Sequence, residues 1–115
     1  MRKSTLMLIT LLSANAAQAA FFVDASSLRE LMAEYGYYQE GRQIRYMAKA
    51  SQYVGYVTGI VDALDGTKFC LPGGVTAEQA AAKVAAYLNA MPDKLTRRAS
   101  DSVAAALAAN FPCKP

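Results

Sequence analysis

The run YVGYVTGIVDALDGTKFCLPGGVT, residues 53–76, constrains the fold of this chain more than any other stretch. In its first half Val54, Val57, Ile60, Val61 and Leu64 recur at steps of three and four, the spacing of one helical face. Gly55 and Gly59 lie four apart, in line with Ser51, and make a stripe almost without side chains. Asp65-Gly66 closes the helix, because Gly adopts the left-handed conformation that ends one. Phe69, Cys70, Leu71 and Pro72 follow, then Gly73-Gly74. A helix this apolar needs other helices laid against it, and Cys113 is available to return and clamp it.

The start of the chain reads as an address. Arg2 and Lys3 precede an apolar core at residues 6–12, and Ala17-Gln18-Ala19 has the small-x-small form of a cleavage site. Residues 1–19 are therefore expected to be a cleaved secretory signal peptide, leaving one small domain at residues 20–115. The competing reading is a retained N-terminal anchor. Without Arg2 and Lys3 the formal +3 charge falls close to neutrality, and no basic stripe remains. Nucleic acid is accordingly not expected as a partner. The apolar part of the central run is too short for a membrane span and is broken by Asp62.

Cys70 and Cys113 are the two cysteines of the chain. In an oxidising compartment an even count favours a disulfide, whereas two free buried thiols are the alternative. Closing a loop of about forty residues would stabilise the fold by about 4 kcal/mol on chain-entropy grounds.

Helices are expected on both sides of the hub. Ser27 with Glu30 has the form of a capping box, Leu28, Leu31, Met32 and Tyr35 make an apolar face, and Gly36 ends it. Residues 37–41 then read as a polar break exposing Tyr37 and Tyr38. A second helix is expected from near Arg42 to Leu64, with Ile44, Met47, Ser51, Val54, Thr58 and Val61 on one stripe and Tyr46, Ala50, Tyr53, Val57, Ile60 and Leu64 on the next. Two adjacent stripes predict burial over much of its girth. The Ser51–Gly55–Gly59 stripe serves close packing within the monomer or a seam between two copies. Thr76 with Gln79 caps a third helix that Pro92 stops, and a fourth begins around Thr96 and ends before Pro112. No strand-like alternation competes. The fold class is all-α, a small bundle of about four helices with one disulfide.

Chemistry is scarce. The chain has no histidine, the commonest general base and metal ligand. Paired cysteines supply no nucleophile. Asp62 and Asp65 could begin a metal or acid–base site, but no third acid lies nearby, and short acids at a helix end more often cap and turn. Gly73-Gly74 precedes a helix N-terminus without a phosphate-binding lysine motif. No catalytic residue, metal ligand or cofactor is expected, and the residues argue against an enzyme.

GYVTGIVDAL, then FCLPGGVT, an alanine-rich helix with YL near its end, and the final FPC together resemble the Rap/Tai immunity proteins of type VI secretion systems. The resemblance covers roughly residues 28–113. It implies a periplasmic, helical, homodimeric protein that binds and blocks an injected peptidoglycan amidase, an NlpC/P60-like cysteine peptidase. It also implies that Cys70 and Cys113 form the family's disulfide and that a protruding loop plugs the effector's active-site cleft. Two loops qualify as partner-binding candidates. Residues 68–76 offer Lys68, Leu71, Gly73 and Gly74, a Gly-rich loop pinned by the bridge; residues 92–98 offer Asp93, Lys94 and Arg97. Pinning lowers the entropy lost on binding. An HdeA-like acid-stress periplasmic chaperone, also small, helical and stapled, is the rival function.

Overall fold

The computed structural model describes residues 21–43 and 46–115. The expected signal peptide and Ile44 lie outside the described residues. Four helices follow one another: α1 (Ala25–Gln39), α2 (Met47–Leu64), α3 (Ala77–Ala90) and α4 (Ala99–Asn110). No strand occurs among the described residues, so the all-α reading holds, and Cys70 is bonded to Cys113.

The first helix begins three residues before the expected start. Asp24, not Ser27, is its N-cap: Asp24 Oδ1 accepts from the Ser27 N–H at 2.8 Å and from the Ser26 hydroxyl at 3.0 Å. Asp, Ser and Ser all suit a cap. The choice falls to Asp24 because its neighbourhood is fixed from outside, where Val23 accepts from the Ala99 N–H and Asp24 pairs with Arg98. Nor does Gly36 end α1. The helix runs through it, and Gly41 at φ +66° supplies the turn. Arg42 N–H donates to Tyr37 C=O and Gly41 N–H to Tyr38 C=O, the paired bonds of a Schellman ending. Keeping Gly36 in the helix costs about 1 kcal/mol.

The late ending of α1 delays α2, which starts at Met47 rather than near Arg42. The two pack antiparallel, as Glu34 meets Tyr46 and Glu30 meets Lys49 across them. Burial of α2 is narrower than the sequence implies. Ala50, Tyr53, Val57 and Ile60 are buried; Val54, Thr58 and Val61 are only half covered; Tyr46 and Met47 are exposed. Ser51, Gly55 and Gly59 face outward, and a Cβ added at either glycine would meet no atom within 4 Å. Among the described residues, none packs closely on the stripe. α2 is nonetheless the central helix, touching α1, α3 and α4. Its end is as expected, with Asp65 as C-cap and Gly66 at φ +86°.

The capping box on α3 is present, Thr76 and Gln79 each satisfying the other's backbone donor at 3.0–3.1 Å. Its first turns cross α2, where the Tyr53 hydroxyl donates to Ala81 C=O at 2.7 Å in the buried interior. Pro92 stops α3 and opens a 3-10 turn, Pro92–Lys94. The last helix begins at Ala99, later than Thr96, because Thr96 is held outside it: its N–H donates to the buried Ser102 Oγ at 2.7 Å. One core results, with Leu28, Tyr35, Tyr53, Val57, Phe69, Val84, Leu88, Val103 and Leu107 at its centre. Alanines of α3 and α4 allow these helices to lie close.

Candidate partner-binding surface

The loop after α2 is built to hold one shape. Gly66 N–H donates to Phe69 C=O at 2.8 Å, Thr67 N–H and hydroxyl both reach Leu64 C=O, and the Asp65 carboxylate accepts from Leu71 N–H at 2.9 Å. Asp65 thus works locally, the capping role its position favours, while Asp62 lines a small surface hollow of about 170 Å³ with Thr58, Leu71 and Val75. Phe69 is fully buried and anchors the loop in the core. Cys70 N–H donates to Phe111 C=O at 2.9 Å, which aligns the chain for the bond to Cys113, whose Cα is 4.8 Å from that of Cys70. A turn from Pro72 to Val75 follows, and it needs positive φ at its third residue; Gly74 provides it at +90°.

Among the named candidates, Gly73 and Gly74 form the exposed tip of this loop, and Lys68 is exposed beside the Asp101–Ala108 side of α4. Leu71 is half buried and serves as a foot of the loop. Asp93, Lys94 and Arg97 are exposed on the second loop. There the guanidinium groups of Arg97 and Arg98 lie 5.8 and 5.4 Å from the centre of the Phe21 ring. The structure does not unite the two sets. They occupy opposite ends of α3, whose 14 residues span about 21 Å at ~1.5 Å per residue.

A third surface stands at the α1–α2 corner. Tyr37, Tyr38, Tyr46 and Met47 are all exposed there, the last three by about half: 48%, 51% and 56%. Arg42 lies over the Tyr37 ring at 4.8 Å and Lys49 over the Tyr46 ring at 5.0 Å. Tyr37 and Tyr38 are legible in the sequence as exposed aromatics, whereas Tyr46 and Met47 read there as buried helix positions. Below this corner a cleft of about 270 Å³ opens between α1, α2 and Glu78 of α3. On its floor the Tyr35 hydroxyl reaches Glu78 Oε2 at 3.4 Å. Burial, then the Glu78 charge, pushes the Tyr35 phenol up to about 12, so it stays a neutral donor. The arrangement offers shape, aromatic faces and one carboxylate; no group of three or more metal-ligating side chains occurs among the described residues.

The whole scaffold from α1 to the second cysteine is matched by the family model for Rap1a immunity proteins, over residues 25–113. The chain belongs to the Rap1a immunity protein family. No curated protein matches it. The Rap1a match begins at the first residue of α1 and ends at Cys113, so both cysteines and all four helices fall inside it. Membership points to protection by binding a cognate effector rather than to turnover. No helix among the described residues is long and apolar enough to cross a membrane.

Proposed function

We propose that this Rap1a family member is a periplasmic immunity protein that binds and blocks a peptidoglycan amidase, an NlpC/P60-like cysteine peptidase delivered by type VI secretion. The observation that carries the reading is the family match across the entire stapled scaffold. The signal-like residues 1–19 and the disulfide both suit an exported protein. It performs no catalysis of its own; protection comes from occupying the effector's cleft.

Residues 68–76 are the favoured plug. Their backbone is bonded at Gly66, Asp65 and Phe111, so little freedom is lost on insertion, and the Gly73-Gly74 tip is slim enough for a narrow cleft. The same reading makes the protein a homodimer, and the uncovered Ser51–Gly55–Gly59 stripe is a surface that a second helix could approach closely.

The test is inhibition of candidate peptidoglycan amidases by the purified, oxidised protein. Stoichiometric inhibition, weakened when Gly73 and Gly74 are replaced by bulky residues, is the expected result. Failure to bind any such amidase would overturn the reading.

A further inference from the structure

We propose that the cleft between α1, α2 and the first turn of α3 receives a basic side chain, arginine or lysine, from the protein's partner; that the partner is the effector rests on the function proposed above.

Three observations support it. Size comes first: about 270 Å³ is below the ~300–1,000 Å³ of pockets that hold a whole small molecule, and suits one long side chain. Lining comes second. Tyr35, Tyr38, Met47 and Val54 give apolar and aromatic walls, Ser51 adds a hydroxyl, and Glu78 is the one charged group among the described lining residues. Glu78 makes no ion pair among the described residues, and its carboxylate is met only by the neutral Tyr35 phenol at 3.4 Å. A long apolar stem ending in a cation matches that combination, since aromatic faces and a carboxylate both attract it. Third, the rim residues Tyr38 and Met47 stand half exposed, and their neighbours Tyr37 and Tyr46 already hold Arg42 and Lys49 over their rings. This corner makes with its own cations the contact that the cleft is set up to make with a foreign one. Arginine and tyrosine, with tryptophan, are also enriched among the residues that dominate protein interfaces.

The probe is N-acetyl-arginine methylamide, with N-acetyl-norleucine methylamide as the uncharged control. Each is titrated into the full oxidised protein while the Met47 methyl and the Tyr38 ring are followed by NMR. A saturable shift at both positions with the arginine probe, and a much smaller one with norleucine, is expected. Glu78→Gln should weaken the arginine response roughly tenfold, as for one charge-assisted contact, with the helical circular-dichroism spectrum retained. Tyr38→Ala, at an exposed position, should weaken it as well. Equal responses to the two probes, or no shift at Met47, would overturn the proposal. So would self-association of the wild type that Glu78→Gln abolishes, because a second copy would then fill the cleft. In the complex, Glu78→Gln should lower affinity for the amidase. Equal binding by both forms would remove the cleft from the interface while leaving the immunity reading intact. An arginine response without any amidase binding would fail the immunity reading alone.

Discussion

Replacing Gly55 and Gly59 together by alanine should stabilise the folded chain. Both lie in the interior of α2, neither has a positive φ, and an added Cβ at either meets no atom within 4 Å. No packing term therefore opposes the change. What remains is helix propensity, in which glycine is about 0.8–1 kcal/mol worse than alanine per interior position. Two substitutions with no shared partner should add, giving about 2 kcal/mol. For a domain of this size 1 kcal/mol moves the midpoint by about 4–8 °C, so Tm should rise by about 8–16 °C. Thermal unfolding followed by circular dichroism, at low protein concentration, measures it directly. At high concentration the same methyl groups would hold off a second helix approaching along the stripe, so the gain should shrink. A fall in Tm at low concentration would refute the reasoning, because it would mean that the stripe is covered within the chain.

Other expectations are independent of that stripe. Cys113→Ser opens a loop with a sequence separation of 43 and should cost about 4 kcal/mol, read as a lower denaturant midpoint that reduction of the wild type reproduces. Tyr53→Phe removes the buried bond to Ala81 C=O while keeping the ring in the core, and should cost about 0.5–1.5 kcal/mol by denaturant titration. Stability should also depend on pH at both ends. Burial raises the Tyr35 and Tyr53 phenols above their ordinary 10.0, so the unfolded chain releases these protons first, and stability should fall as pH rises from about 10 towards 12. The Ser27 N–H lowers the Asp24 carboxyl below its ordinary 3.8; its contribution is present above that pH and is lost as pH falls through the lowered value. Tyr35→Phe and Asp24→Asn should each flatten the corresponding limb of the stability profile.

Much of the fold could be read from local pattern because each helix carries its own period and its own stops. Thr76 with Gln79, Pro92, and Asp65-Gly66 act within a turn of themselves, and the structure uses all of them as expected. Boundaries failed where the deciding contact was distant. Asp24, Ser26 and Ser27 are locally equivalent caps, and the link of Val23 to Ala99 selects among them. Gly36 and Gly41 are equally able to end α1, and the closing bonds form at the later one. Periodicity also overstated the burial of α2. Met47 and Tyr46 obey the helical spacing yet stay about half exposed, Met47 on the rim of the cleft between α1 and α2 and Tyr46 beneath Lys49. The pinned loop was visible as a cysteine among glycines. The cleft was not, since Tyr35, Ser51 and Glu78 come from three helices and share no motif.

The attachment of α4 at both ends has a practical consequence for how the protein can be labelled. At its start Ala99 is bonded to Val23, with Phe21 against Arg97 and Arg98; at its finish Phe111 is bonded to Cys70. The helix between is 12 residues, about 18 Å. A fluorescent protein fused just before Phe21 therefore crowds residues 92–98, and one fused after Cys113 crowds residues 68–76. Under the proposed function, the fusion that abolishes inhibition would mark the loop that meets the effector, and the pair of fusions works as a steric ruler laid along one helix.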